Sequence, residues 1–130
     1  MAAKSSTTAA RRAVSGLRSE AFHRRARLSG GAAFGALLRS RRTARSERFL
    51  VQAVLNSEGF ARLGIVVGKR IARRAVDRSR LKRLVRETFR RRQHELGSFD
   101  LLVRPRRTLS SDEVVMARKE LHALMAAAIT

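Results

Sequence analysis

The 130-residue sequence contains no cysteine, tyrosine or tryptophan, one proline, and ten acidic residues against 30 basic ones. The absence of cysteine excludes disulfides and thiolate metal sites, which fits a reducing compartment. No apolar run approaches the roughly 18 residues that a membrane-spanning helix needs. The N-terminus lacks the continuous apolar segment of a secretory signal. With six Phe as the only aromatics, the core must be built from Ala, Val, Leu and Ile.

Positive charge is what the sequence has in excess, with a net charge of +20. Only four of the 30 basic residues are Lys, which leaves 26 Arg, the residue best suited to bidentate contact with phosphate. Such a charge promotes association with polyanions, nucleic acid being the first interpretation and an anionic membrane the second. A membrane-active protein would need a helix with a broad exposed apolar face, whereas the apolar strands here require that face for a core.

Composition and length predict one globular domain, since 44% of the residues are hydrophobic. Residues 1–19 lack periodicity and are expected to form a flexible basic extension, although their composition faintly resembles an organellar transit peptide. Residues 20–130 are expected to form the single domain.

Hydrophobic periodicity predicts a helix, two strands, a basic helix, a strand and a final helix, at about 31–39, 49–55, 62–68, 75–96, 99–104 and from 110 onward. Residues 40–45 are predicted to be a basic loop or a short edge strand. The polar connection at 56–59 predicts a hairpin between the first two strands, and the unbroken Ile65, Val66 and Val67 indicate a strand covered on both faces. Ser110 and Glu113 form a capping box for the last helix. The strand–helix–strand passage adds a parallel pair, hence a mixed sheet.

The segment Lys69–Arg92 holds 12 Lys or Arg and two acids, half of the net charge of the chain. An apolar stripe recurs through it at helical spacing: Leu81, Leu84, Val85 and Phe89. A basic arc faces the other way: Lys82, Arg83, Arg86 and Arg90, with Arg80 to one side. A solvated basic face is the plain alternative, but unpaired like charges four residues apart are unfavourable without a partner. We therefore predict that this helix binds a polyanion.

Residues for catalysis by the protein itself are not in evidence. His23, His94 and His122 are scattered, the acids are mostly isolated, and Gly68–Arg70 lacks the rest of a phosphate-binding loop. The sequence predicts neither a catalytic residue nor a metal site, so any catalytic groups should lie on a partner.

The sequence of residues 75–90, AVDRSRLKRLVRETFR, resembles the signature of the bacterial ribonuclease P protein component family. That signature is approximately A-V-x-R-N-R-x-K-R-x-x-R-E. Ser79 stands where the family usually has Asn. RLGIVVGKR at 62–70 and FDLLVRP at 99–105 resemble neighbouring family segments, and the resemblance covers roughly residues 25–130. A structural protein of the ribosome would explain the charge but not this motif.

The resemblance implies an α+β fold, an α/β sandwich on a small mixed sheet with the order α-β-β-(β)-α-β-α and a left-handed βαβ crossover. It also implies a non-catalytic subunit of the endoribonuclease that removes the 5′ leader from precursor tRNA in the cytoplasm. The RNA subunit, bound 1:1, would be the catalyst. Mg²⁺ would be held by that RNA and the substrate, and no obligate protein partner or membrane is expected.

Two sets of site residues follow from the resemblance. RNA-subunit binding would involve Lys69, Arg70, Arg73, Arg74, Arg78, Ser79, Arg80, Lys82, Arg83, Arg86 and Arg90. A cleft between the first helix and the sheet would hold the single-stranded leader through Phe34, Leu38 and Gln52, the last two at positions that are often aromatic. For Phe34, a core residue is an equally weighted alternative.

Overall fold

A computed structural model describes the backbone of residues 31–130 and the side chains of residues 35–130. Within this range the elements are α1 (Gly31–Leu38), β1 (Arg42–Arg45), β2 (Phe49–Leu55), β3 (Arg62–Ile65), α2 (Ala75–Arg92), β4 (Phe99–Pro105) and α3 (Val114–Ile129). Single 3₁₀ turns, Gln93–Glu95 and Ser111–Glu113, follow α2 and precede α3. The predicted extension at 1–19 and the start of the domain at residue 20 lie outside the described residues.

The four strands form one mixed sheet in the order β1-β2-β4-β3. The β1–β2 and β2–β4 pairs are antiparallel, and β3 runs parallel to β4. The mixed sheet, the parallel pair and the element order are thus as predicted, with residues 42–45 as the edge strand that was one of two alternatives. The left-handed sense of the β3–α2–β4 crossover stays a prediction from the family resemblance.

The predicted hairpin between residues 49–55 and 62–68 is wrong, because β4 lies between these two strands. Asp100 on β4 explains the insertion. Its carboxylate accepts a hydrogen bond from Asn56 Nδ2, just after β2, at 2.8 Å, and a bidentate pair from Arg62 on β3, also at 2.8 Å. A carboxylate only 8% exposed needs such partners, and they fasten β4 to both neighbours. The true hairpin joins β1 to β2.

Strand β3 is also shorter than predicted, ending at Ile65, and it lies at the edge of the sheet. Val66 is 42% exposed. The prediction of a strand covered on both faces through Val67 is therefore wrong, because an unbroken apolar run does not reveal whether a strand is central or at an edge.

The two faces of the sheet carry different layers. On one face, alternate residues of β2 and β4 pack with α2 and α3 into the main core, among them Phe49, Val51, Leu101 and Val103. On the other face a small cluster joins Leu37 of α1 to Leu102, with Val54 against it. Helix α1 therefore lies on the opposite face from α2 and α3, and the fold is a sandwich as predicted.

The C-terminal helix begins at the predicted capping box and buries one of its faces. Ser110 and Glu113 form the capping box, ahead of a 3₁₀ turn that leads into α3. Ala117, Leu121 and Ala128 are buried, while Val114 and Leu124 pack at the edge of the core. Met125 is buried with them, since it lies one turn after Leu121 on the same face.

Candidate nucleic-acid interface

Helix α2 positions its charge by burying its apolar stripe. Leu81, Leu84, Val85 and Phe89 all lie in the core, as predicted, and Thr88 is buried beside them with its hydroxyl donating to the Leu84 carbonyl at 2.8 Å. Phe89 and Val85 are fully buried against the sheet. Because this side of the helix is fixed, the remaining arc must point away from the core.

That arc carries the α2 basic face, which we define as Arg80, Lys82, Arg83 and Arg86. Arg80 and Arg83 are exposed, while Lys82 and Arg86 are half-buried. Within residues 35–130, no hydrogen bond or ion pair engages these four side chains. Repulsion between neighbouring cations is thus unrelieved inside the described structure, and a phosphate backbone would relieve it.

The turn before α2 presents further predicted residues. The amides of Ile71 and Ala72 both donate to the Gly68 carbonyl at 3.1 Å, which closes a tight turn. Lys69, Arg70 and Arg73 are exposed on it. Their charges therefore lie next to the first turn of α2, where the predicted interface begins.

Two predicted residues are engaged within the fold. Arg74 pairs with Asp77 at 3.1 Å. Arg78 Nη1 donates to the carbonyl oxygens of Ala72 and Arg73 at 2.9 and 2.8 Å, so its guanidinium ties the helix to the turn. Arg78 therefore positions the turn that carries Lys69 and Arg70, a part the motif alone did not indicate.

The remaining two residues of the predicted set lie on the same helix. Ser79 is exposed, and Arg90 is half-buried one turn after Arg86. At the C-terminal end, Arg90, Arg91 and Arg92 also complement the helix dipole. All eleven predicted RNA-binding residues thus fall on one turn and one helix.

The predicted leader cleft lies on the α1 face of the sheet. Gln52 is 6% exposed, and its Nε2 donates to the Leu38 carbonyl at 3.4 Å. Leu38 itself is 53% exposed at the end of α1. Gln52 therefore holds α1 against the sheet and offers little surface to a ligand. Phe34 belongs to α1, but its side chain lies outside the described residues.

Sequence reasoning missed Arg104 beside this cleft. Its Nη1 donates to Gln52 Oε1 at 3.4 Å across the β2–β4 pair, in which Gln52 faces Leu102 and Arg104 faces Leu50. The period-2 alternation of β4 was the available signal, because Asp100, Leu102 and Arg104 share one face. Arg104 brings a cation to a cleft that was predicted from apolar and aromatic positions alone.

A second missed feature is the ion-pair network, comprising Arg48, Arg107, Glu113 and Glu120. Arg48 binds Glu113 at 3.0 Å and Glu120 at 2.6 Å, and Arg107 binds Glu113 at 2.7 Å. Ser46 also donates a hydrogen bond to Glu120. The network joins the β1–β2 turn both to the 3₁₀ turn before α3 and to α3 itself. Glu113 and Glu120 follow Arg48 by 65 and 72 residues in sequence.

The network shifts the ionisation of its members. Hydrogen bonds from Arg107 and from the Ser110 amide hold the pKa of Glu113 far below its ordinary value. Burial raises the pKa of Glu120, but hydrogen bonds from Ser46 and Arg48 outweigh it and lower that pKa. Hydrogen bonds to Glu120 and Glu113 raise the pKa of Arg48. Both carboxylates are therefore charged at neutral pH and belong to the scaffold.

In the described part of the chain, no three His, Asp or Glu side chains gather as metal ligands would. His94 lies 3.9 Å from Glu95, and both are exposed. None of the helices found there is long and apolar enough to cross a membrane.

Comparison with known proteins shows which family has a similar sequence and fold. A family model described as Ribonuclease P matches residues 22–128. Proteins named ribonuclease P protein component are similar in Chromohalobacter salexigens (44% identical over 75 residues, 58% of this chain and 59% of the relative) and Ralstonia pickettii (42% over 84 residues, 65% and 60%). The matched stretch thus spans about three-fifths of the length of these relatives.

Solved structures agree with the sheet and helix arrangement. The RNase P protein of Thermotoga maritima, in complex with 1-(4-fluorophenyl)-2-thiourea, is 33% identical, with 71% of this chain and 90% of that chain covered and a TM-score of 0.62. The Staphylococcus aureus RNase P protein is 25% identical, with coverages of 84% and 94% and a TM-score of 0.64. Since the family model spans most of the residues and the fold agrees, the chain belongs to the ribonuclease P protein family.

Proposed function

We propose that this chain is the protein subunit of a ribonuclease P that removes the 5′ leader from precursor tRNA in the cytoplasm. The observation that carries the proposal is the α2 basic face, which has no partner within the described residues and lies on the helix that bears the family signature. In this proposal the RNA subunit, bound 1:1, is the catalyst. Mg²⁺ is held by the RNA and the substrate, whose phosphates supply hard oxygen ligands.

The protein acts by charge and position. Cations of the α2 basic face and of the turn at Lys69 and Arg70 neutralise phosphates that repel one another in the folded RNA. Arg78 fixes the turn against α2, so the two groups of cations approach the RNA in a fixed relation. Neutralisation of this kind stabilises a compact RNA most when divalent ions are scarce.

The α1 face of the sheet is proposed to hold the single-stranded leader. Arg104 and Arg45 can meet its phosphates, since both lie on that face by alternation in their strands. Gln52 supports α1 from below through the Leu38 carbonyl. With Leu38 and Gln52 at the positions that are often aromatic, we expect charge to contribute more than base stacking here.

The test is reconstitution with the full chain. Added to a bacterial ribonuclease P RNA at low Mg²⁺, the chain should stimulate cleavage of a precursor tRNA, and a substrate with a one-nucleotide leader should gain less. Absence of stimulation at every Mg²⁺ concentration would overturn the proposal. Equal stimulation of cleavage for both substrates would contradict the proposed leader cleft but would not contradict binding of the RNA subunit.

A further inference from the structure

A cavity lies between α2 and the segment that leads into α3. Its volume is about 330 Å³, enough for a small organic ligand. The floor is aliphatic and comes from both sides: Leu81 and Leu84 from α2, Leu109 and Val114 from the α3 side. Hydroxyl groups of Thr108, Ser110 and Ser111 stand around it. The cavity therefore combines an apolar surface with hydrogen-bonding groups at its rim.

The charge at the rim is positive. Three guanidinium groups line the cavity, those of Arg80, Arg83 and Arg118, against one carboxylate, Asp77. Asp77 is already paired with Arg74 at 3.1 Å. Arg80 and Arg83 have no partner within residues 35–130. The rim thus has spare cationic donors and no free carboxylate to offset them.

Arg118 is the member contributed by α3. Its Nη2 contacts Glu87 at 3.3 Å, while its Nε is buried without an acceptor among the described residues. A buried donor without an acceptor costs free energy, and an anion bound to this guanidinium after a small reorientation would relieve it. The apolar floor and the unpaired Nε donor of Arg118 are independent observations, and together they point to one ligand.

Such a ligand needs an apolar face and an anionic group close together. Inorganic phosphate would leave the aliphatic floor unused, and an apolar peptide would leave Arg80 and Arg83 desolvated without partners. A nucleotide satisfies both, with the base on the floor and the phosphate at the rim. In a duplex the faces of the base are stacked on its neighbours, so the nucleotide must be unpaired.

We propose that this α2–α3 groove binds one unpaired nucleotide of RNA, its phosphate held by Arg80, Arg83 and Arg118. The identity of that RNA as the ribonuclease P subunit rests on the proposed function, whereas the nucleotide site does not. Helical spacing turns Lys82 and Arg86 away from Arg80, so one helix contacts RNA on two flanks. Lys82 and Arg86 meet backbone phosphates, and Arg80 meets the extruded nucleotide.

The first experiment titrates the methyl-labelled full chain with AMP, adenosine and inorganic phosphate, observed by NMR. AMP should shift the methyl signals of Leu109 and Val114, adenosine should shift them with lower affinity, and phosphate should leave them unchanged. Arg118→Gln should weaken AMP binding about tenfold, the loss of one charge-assisted contact. Arg41→Gln, an exposed arginine outside the groove, is the matched control and should bind AMP normally. Unshifted methyl signals, or equal effects of phosphate and AMP, would overturn the site.

The second experiment identifies the RNA. A photo-crosslinking side chain in place of exposed Ser111, with one in place of Val115 as the control outside the groove, is combined with a bacterial ribonuclease P RNA. Crosslinks from position 111 to an unpaired nucleotide support the proposal, and crosslinks to paired nucleotides, or none, overturn its RNA part. Failure of cleavage stimulation with intact AMP binding would instead remove the proposed function and keep the nucleotide site.

Discussion

Arginine has opposite surroundings in two regions of this molecule. In the ion-pair network, Arg48 and Arg107 are bound by Glu113 and Glu120, so each cation is neutralised within the fold. On the α2 basic face, four cations have no partner among the described residues. The difference between the two regions comes from the positions of the few acidic residues. Glu113 and Glu120 fasten elements that are distant in sequence, while the α2 basic face is left with its charge available.

The largest effect is expected when the α2 basic face is broken. Arg80→Ala, Lys82→Ala and Arg86→Ala together should weaken binding to a bacterial ribonuclease P RNA roughly 100- to 1,000-fold and reduce the salt slope by about two to three units. Filter binding over a salt series measures both quantities. The matched control removes the same charge elsewhere, with the exposed Arg39, Arg41 and Lys119 changed to Ala. Equal losses in both variants would mean that net charge matters and the face does not.

The scaffold acids should behave in the reverse way. Asp100→Ala leaves Arg62 and Asn56 without their acceptor between β2, β4 and β3, so the free energy of unfolding should fall by about 3 kcal/mol. Urea unfolding measures it, and RNA affinity of the folded protein should not change. Glu58→Ala removes an exposed acid from the same region and should change stability by less than about 0.5 kcal/mol. A weaker RNA complex with unchanged stability would contradict the assignment of Asp100 to the scaffold.

A smaller effect is expected from acid on the ion-pair network. The folded-state pKa values of Glu113 and Glu120 lie below their ordinary value of 4.5. Their contribution to stability is therefore complete above about pH 4.5 and is lost as the pH falls through the folded-state values. The melting temperature should drop by several degrees on acidification from pH 6 to pH 3, followed by calorimetry. Glu113→Gln should make the melting temperature less dependent on pH. An unchanged pH dependence in this variant would show that Glu113 does not contribute to it.

Much of the fold was readable from local sequence. The α2 stripe and the capping box at Ser110 were predicted correctly, because both depend on residues within one or two turns. Strand order was not, since the position of β4 depends on Asp100 meeting Asn56 and Arg62 across 44 and 38 residues. Short-range polar spacing favoured a hairpin that long-range pairing overrode.

The site divides in the same way. A motif at 75–90 gave the basic residues of α2, and the structure leaves them on the side of the helix that points away from the core. It could not give Arg118, which reaches the groove from α3, 31 residues after Glu87. Nor could it separate Arg78 from its neighbours, because its contacts with the Ala72 and Arg73 carbonyls depend on the conformation of the turn.

The smallest effect is expected for Arg78, and it distinguishes this residue from the arginines of the α2 basic face. Arg78→Gln should weaken RNA binding less than about tenfold and reduce the salt slope by less than one unit. The reason is that the Nη1 group of Arg78 already donates hydrogen bonds to carbonyl groups of the turn. Arg86→Gln, the matched change on the α2 basic face, should reduce the slope by about one unit. Hydrogen exchange at the Ile71 and Ala72 amides, which donate to the Gly68 carbonyl, should quicken in Arg78→Gln only. Suppose instead that both variants lose a full unit of salt slope and that neither changes hydrogen exchange at these amides. Arg78 would then be a phosphate contact like its neighbours, and the motif would contain no division between scaffold and ligand-binding arginines.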